Sequence, residues 1–506
     1  MTMATAPIRD DTLPYAFARR HGVLVARDAH DAPVIHLREG ADPAVLVTLR
    51  NHLGHAFTLE RPDPEQFDTL MSDQYAMGSN AEMIGAMAVG QGELDMLATD
   101  LPSAEDLLDS SDDAPAIRLI NGIIADAARQ GVSDIHIEPY ESGLVVRMRV
   151  DGILREVLRM PPHVAPVLVS RIKVMARLDI AERRVPQDGR ITLSLGGRMI
   201  DARVSTLPSR AGERVVLRLL DTQNAGIGFD QLGLTGTVDS ALRSALAQPN
   251  GIILVTGPTG SGKTTTLYAA LSTLNDGSRN ILTIEDPVEY AVDGVGQTQV
   301  NAKVGLTFAA GLRAILRQDP DIVLVGEIRD RETADIAVQA SLTGHLVLST
   351  VHTNDAVGAI TRLRDMKVEP FLIASSLRAV VAQRLVRRLC PDCRTPSDDT
   401  SGLGEALGIA AGTPLWHGTG CASCQGQGYR GRIGVFEAIV IDDALRRLIN
   451  DGGDEVAMTR HAFANAPTLA LSAKALVIAG ETSAEEALRV ARHDDGGRDD
   501  GEPGNG

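Results

Sequence analysis

Four apolar runs in the second half of the chain, each giving way to polar residues, set its hydrophobic pattern. Gly251 to Thr256 leads into the glycine-rich stretch Gly257-Pro258-Thr259-Gly260-Ser261-Gly262-Lys263-Thr264-Thr265, and Leu267 to Leu274 then reads as helix. Asn280 to Ile284 ends in Glu285-Asp286-Pro287. Asp321 to Val325 leads to Gly326-Glu327-Ile328-Arg329-Asp330. Leu346 to Leu348 lies between His345 and His352, with Thr350 and Thr353 near its end. Near-continuous apolar strands are those covered on both faces, as in a parallel sheet, and ligands bind beyond their carboxyl ends. With Phe308 to Pro320 in between, a helix at Arg331 to Leu342, and further alternation over Ala356 to Leu363 and Pro370 to Arg388, the pattern predicts an α/β fold.

Earlier in the chain the pattern is shorter-ranged. Tyr15 to His21 reads as a short helix, and Gly22 to Ala26 and Ala44 to Thr48 as β-type segments, in a compact region ending near Tyr75. Residues 78 to 111 are rich in Gly, Met, Ala and acidic residues and read as a linker, with clustered negative charge running to Asp113. From Ala114 the pattern is α+β: a helix over Ala116 to Arg129, strands around Ile135, Val145, Ile153, Ile191, Val204 and Val216, and a second helix over Val164 to Leu178.

The glycine-rich stretch carries the most definite chemistry. Gly257, Gly260 and Gly262 let successive N–H groups turn inward as a phosphate nest at a helix N-terminus. Lys263 supplies a cation for the β- and γ-phosphates, and the Thr264 hydroxyl suits Mg²⁺. The strand-end carboxylates fall at the same rim, and hydrolysis needs one of them to orient the attacking water. Glu327 is the preferred base and Glu285 the second candidate; their residue types and positions do not separate them. His352 belongs to a polar cluster suited to sensing the γ-phosphate. In the α+β region Arg190, Arg203, Arg210, Arg214 and Arg218 form a concentration of guanidinium groups. Arg210 and Arg218 are the preferred phosphate ligands, in cis or across a subunit boundary, with ordinary salt bridges as the other reading.

All four cysteines lie in two knuckles, Cys390-Pro-Asp-Cys393 and Cys421-Ala-Ser-Cys424, separated by 27 residues. Four thiolates on two chelating turns suit a closed tetrahedral Zn²⁺ site and predict a protruding loop clipped at its base. The formal net charge of -17 over 506 residues argues against general nucleic-acid binding, which relies on neutralising phosphates. No apolar run reaches the roughly 20 residues that span a bilayer, and no basic-then-apolar leader opens the chain. The expectation is a cytoplasmic protein whose membrane attachment comes through partners.

Together Gly257 to Thr264, Ile284 to Glu289, Ile322 to Glu327 and Thr343 to His352 resemble the Walker A, Asp-box, Walker B and His-box motifs of the type II/type IV secretion ATPase superfamily. Ser133 to Pro139, Gln383 to Cys390 and the four cysteines agree, and the likeness runs from about Leu13 to Ala491. Within the superfamily the chain most resembles the assembly ATPase of type II secretion; type IV pilus assembly is the rival reading. The resemblance implies an N-terminal docking domain over residues 1–77, an acidic linker over 78–113 and a PAS-like arginine-rich domain over 114–235. A RecA-like ATPase domain follows over 236–492, with a zinc subdomain at 388–436; beyond it, the Asp- and Gly-rich composition predicts a disordered tail over 493–506. The resemblance further implies ATP, Mg²⁺ and Zn²⁺ as cofactors, Gly257 to Thr265 as the nucleotide loop, and Glu327 as the Walker B glutamate. The implied partners are other copies in a homo-hexamer, the cytoplasmic domain of a bitopic inner-membrane protein and an inner-membrane platform protein. ATP hydrolysis would drive pseudopilus assembly.

Overall fold

The protein is described by a computed structural model covering residues 13, 17–18, 21–27, 33–53, 57–63, 66–67, 70, 114–195, 198–220, 228–397 and 402–494. The expected acidic linker and nearly all of the expected tail lie outside these residues. The chain forms two compact units, residues 1–221 and 222–506.

In the first unit, β1 (Val23–Arg27), β2 (Pro33–Leu37) and β3 (Thr58–Glu60) form a small mixed sheet. The segment read as β-type at Ala44 to Thr48 is instead part of the helix Val45–Leu53. Its apolar residues suit either state, but Asp42 accepts a hydrogen bond from the Ala44 N–H at 2.9 Å and starts a helical turn. Val45 and Leu49, one turn apart, then reach the same core as Leu24 and Ile35.

The same unit contains a six-stranded antiparallel sheet. Its strands are β4 (Asp134–Tyr140), β5 (Gly143–Val150), β6 (Ile153–Met160), β7 (Gln187–Leu195), β8 (Arg198–Ser209) and β9 (Gly212–Leu220), in the order β6-β5-β4-β9-β8-β7. The helices Ala114–Arg129 and Val164–Met175 supply apolar side chains to its core, so this is an α+β layer with one apolar face. Lys173 is fully buried there and is neutralised by Glu213, 2.6 Å from its Nζ, while it also donates to the Glu182 carbonyl at 2.6 Å.

The second unit is built on a seven-stranded sheet in the order β12-β11-β13-β14-β10-β15-β18. Its strands are β10 (Gly251–Thr256), β11 (Ile281–Glu285), β12 (Val295–Gln299), β13 (Ile322–Val325), β14 (Leu346–Val351), β15 (Leu377–Leu389) and β18 (Tyr429–Val440). Every pairing is parallel except β15 with β18. Strands β10, β13 and β14 are buried along their whole length, as strands covered on both faces of a parallel sheet are. Because β10, β11, β13 and β14 run in one direction, their polar ends share one rim. The helix Arg331–Leu342 starts where Asp330 accepts from the Thr333 N–H, and Asp355 does the same for Gly358 at the start of Ala356–Asp365. The buried Glu437 carboxylate of β18 accepts from the N–H groups of Ala356 and Leu469, tying together two helix N-termini.

The cysteine-flanked insertion is not a freely protruding loop. Strands β16 (Arg394–Ser397) and β17 (Leu415–Gly418) pair within it. Ile409 and Leu415 join the main apolar core, and Lys474 of the helix Leu469–Ile478 bonds back to the Gly408 carbonyl. Apolar residues between the two knuckles give the insertion a surface to bury, which glycine content alone does not reveal.

Candidate functional site

The loop after β10 has the backbone conformation that a phosphate nest requires. Gly257, Gly260 and Gly262 all have positive φ, at 144°, 81° and 86°. Gly262 is the residue immediately before the helix Lys263–Leu274, so the loop delivers its N–H groups to a helix N-terminus. Pro258, Thr259, Gly260 and Thr264 are exposed, Thr265 is half-buried, and Ser261 and Lys263 are buried. Lys263 Nζ folds back to donate to the Gly257 and Pro258 carbonyls at 2.7 and 3.1 Å. Burial pushes its pKa down to about 8; the Arg384 charge adds to this and the Glu327 charge opposes it. An ammonium held this way gains when phosphate oxygens replace carbonyl dipoles.

The two strand-end carboxylates stand in different surroundings. Glu285, at the end of β11, is 3 % exposed and accepts from the hydroxyls of Tyr268 and Thr283, the latter at 2.5 Å, and from Gln297 Nε2 at 3.3 Å. Tyr268 lies on the helix that Lys263 opens, so this network joins the phosphate-loop helix to β11 and β12. Glu327 lies just beyond β13 at the open rim. Its Oε1 is 2.5 Å from Arg329 Nη2 and its Oε2 is 3.2 Å from His352 Nε2. Glu327 is therefore held by exposed, movable groups, whereas Glu285 is locked in by buried ones.

The end of β14 is coupled directly to the phosphate-loop strand. The Thr256 and Thr353 hydroxyls are 2.6 Å apart, and the Thr353 N–H donates to Thr256 Oγ1 at 3.0 Å. His345 precedes β14 and so lies at the opposite rim, where its Nδ1 is 2.8 Å from the Ala340 carbonyl at the end of a helix. It caps locally and is separate from the His352 cluster.

In the first unit Arg218 Nε donates to Asp134 at 2.9 Å, and Arg210 is 2.8 Å from Glu141. Arg147 and Arg214 both hold the buried Glu138. Burial alone would raise the Asp134 carboxyl; hydrogen bonds from Arg218 and Ser133, with the charges of Arg218 and Arg149, outweigh it and hold the group below the usual range. The Arg210–Glu141 pair is exposed on both sides and borders a cavity of about 570 Å³. Such a pair is worth about 0–1 kcal/mol and exchanges partners readily.

The four cysteine Sγ atoms lie within 4.8 Å of one another. Cys390 to Cys421 and Cys393 to Cys424 are 3.8 Å apart, and Cys421 to Cys424 is 3.7 Å. A disulfide needs about 2.05 Å, whereas a tetrahedron of sulfurs about 2.3 Å from a central Zn²⁺ has edges of about 3.8 Å. The donor set and its spacing fit a metal.

Three further residues contribute to the site; Gln383 and Arg384 fall in the stretch Gln383 to Cys390 that carries the resemblance, without a role assigned to either. Tyr268 sits among apolar helix residues, and Gln383 and Arg384 lie on β15. Gln383 Nε2 reaches the Ser261 carbonyl, while Arg384 Nη2 donates to the Asn354 carbonyl at 2.7 Å. A polar Gln-Arg pair inside an apolar strand marks Gln383 and Arg384 as unusual, while nothing in the local sequence marks Tyr268.

A profile described as type II/IV secretion system protein matches residues 109–489, and the chain belongs to that family. A profile of an N-terminal domain of GSPII protein E matches residues 12–75. The chain is 54 % identical over 486 residues to type II secretion system protein E of Aeromonas hydrophila, spanning 95 % of this chain and 97 % of that protein. The corresponding protein of Pseudomonas aeruginosa is 52 % identical over 504 residues, covering 97 % and 100 %. Among solved structures, the Legionella pneumophila ATPase DotB shares the fold at a TM-score of 0.56 and 22 % identity, over 74 % of this chain and 95 % of that one. The pilus retraction motor PilT with bound ADP aligns at a TM-score of 0.50 and 26 % identity, over 73 % and 95 %. The fold is thus the RecA-like one of secretion ATPases, and the type II secretion reading stands over pilus assembly. Among the described residues no helix is long and apolar enough to cross a membrane.

Proposed function

We propose that this chain is a Mg²⁺-dependent ATPase that hydrolyses ATP to ADP and phosphate to drive pseudopilus assembly and protein export across the outer membrane. The observation that carries the reading is the convergence, on one sheet rim, of the glycine loop with Lys263, the partly exposed Glu327 and His352. Residues 257–265 hold the phosphates, and Thr264 is the side chain that would hold Mg²⁺, which supplies charge neutralisation and orientation of the β- and γ-oxygens when bound. Glu327 orients and polarises the attacking water. His352 restrains that carboxylate and responds to the γ-phosphate. Glu285 positions the helix opened by Lys263. Arg210 and Arg218 exchange their carboxylate partners for phosphate during the cycle.

We assign the four cysteines to Zn²⁺, on their spacing and their thiolate chemistry. The division into a docking domain (1–77), acidic linker (78–113), PAS-like domain (114–235), ATPase domain (236–492) with zinc subdomain (388–436) and tail (493–506) belongs to the same proposal. So do the homo-hexamer, location in the cytoplasm, and attachment to the inner membrane through a bitopic protein and a platform protein. The relatedness to type II secretion system protein E supports these assignments.

The test is ATP turnover by the purified full chain with Mg²⁺, with EDTA, and after Glu327→Gln. Turnover that needs Mg²⁺ and falls at least about a hundredfold in the variant, with ATP binding retained, is expected. Turnover unaffected by EDTA or by Glu327→Gln contradicts the assignment.

A further inference from the structure

Gln383 lies in the interior of β15 and is 1 % exposed, yet its side chain is polar and half satisfied. Its Nε2 donates to the Ser261 carbonyl at 2.6 Å, across 122 residues of sequence. Its Oε1 is buried with no hydrogen-bond partner, as is the Ser261 hydroxyl. Two glycines of the phosphate loop pack on this residue. A Cβ at Gly257 would collide with the Gln383 backbone carbonyl, and one at Gly262 would come within 3.1 Å of Gln383 Nε2.

An apolar side chain at 383 would remove the orphaned Oε1 but take this donor from the Ser261 carbonyl, and a buried unsatisfied polar atom costs about 1–3 kcal/mol either way. What glutamine adds is the donor on Ser261. In a planar trans peptide the C=O and the following N–H point in opposite directions. Pinning the Ser261 carbonyl toward β15 therefore turns the Gly262 N–H away from β15, toward the concave side of the loop where anions bind at a helix N-terminus. We propose that Gln383 is a positioning residue of the nucleotide site: its amide fixes the Ser261–Gly262 peptide and thereby aims one phosphate-binding N–H. Its contact is with the loop, at the Ser261 carbonyl. Arg384, the next residue, holds the Asn354 carbonyl, so one turnless stretch of β15 sets both the phosphate loop and the loop after β14.

This inference rests on the nucleotide-site reading of residues 257–265, and the test separates the two. Gln383→Leu and Gln383→Met are prepared in the full chain, with Lys263→Ala in parallel, and KM for ATP, kcat, equilibrium ATP binding and the thermal midpoint are measured. A misaimed N–H weakens ground-state and transition-state binding alike, so KM should rise about tenfold with kcat within about twofold, and the midpoint should stay close to wild type because the orphaned acceptor only moves from Gln383 Oε1 to the Ser261 carbonyl. A lowered midpoint and kcat with wild-type KM would make Gln383 merely structural and overturn the inference. Where the branched leucine prevents folding, the unbranched methionine gives the same reading. Wild-type ATP binding in Lys263→Ala overturns the site reading and the inference with it. Lost binding in Lys263→Ala with wild-type KM in both Gln383 variants overturns the inference alone.

Discussion

Glu285→Gln and Glu327→Gln are chemically identical changes to which the structure attaches opposite consequences. The Glu285 carboxylate is 3 % exposed, receives two hydroxyls and an amide, and links the phosphate-loop helix to two strands. Glutamine keeps one acceptor oxygen and turns an amide donor on what were donors, losing at least one hydrogen bond to a charged group. That costs about 2 kcal/mol. At about 2–4 °C per kcal/mol for a domain of this size, the thermal midpoint of the ATPase unit should fall by about 4–8 °C. Glu327 is partly exposed and paired with the exposed Arg329 and His352, so its neutralisation changes stability by no more than about 1 kcal/mol. Turnover should show the reverse order: a loss of at least about a hundredfold for Glu327→Gln and of less than about tenfold for Glu285→Gln, measured at saturating ATP below the midpoint. Scanning calorimetry and steady-state turnover on the same preparations read both quantities. An unchanged midpoint with a hundredfold loss in Glu285→Gln would make Glu285 the base and refute the reasoning.

Cys393→Ser should release zinc, measured by plasma emission on the purified chain, while ATP binding persists because the knuckles lie outside the phosphate loop; unchanged metal content would defeat the zinc assignment. Glu437→Ala strips two helix N-termini of their shared acceptor and should lower stability by about 3 kcal/mol in denaturant titrations; a midpoint equal to wild type would show that those N–H groups find other partners. Asp134 and Glu138 are both held below their ordinary pKa, with burial opposing the arginines that win. Their stabilisation is complete above the ordinary carboxylate range of about 4 and is lost as pH falls through the lowered folded values. Calorimetry from pH 5 to pH 3 should show the arginine-rich domain weakening, and less steeply in Arg218→Ala; equal slopes would remove Arg218 from that linkage.

The nucleotide loop was readable because its signal is local: glycines at positive φ, then Lys and Thr at the helix start. The parallel sheet was readable because strands covered on both faces lose their alternation. What stayed hidden depends on partners far along the chain. Glu285 and Glu327 follow apolar strands in the same way, and only Tyr268 and Gln297 for one, Arg329 and His352 for the other, distinguish them. Gln383 stands out as a polar residue in an apolar strand, but its partner is a carbonyl 122 residues away, which no local pattern records. Ala44 to Thr48 was misread because a short apolar run fits helix and strand alike, and the Asp42 cap decides it. His345 and His352 flank one strand symmetrically in sequence, yet a strand has two ends and only one of them faces the site.

ATP hydrolysis by this chain is proposed to power protein export. This is tested most directly by deleting the gene in its host organism, restoring it as wild type or Glu327→Gln, and measuring secreted enzymes and surface pili together. The account predicts that secreted enzymes vanish on deletion, return with wild type and stay absent with Glu327→Gln, with pili present throughout. Secretion intact and pili lost on deletion would contradict it.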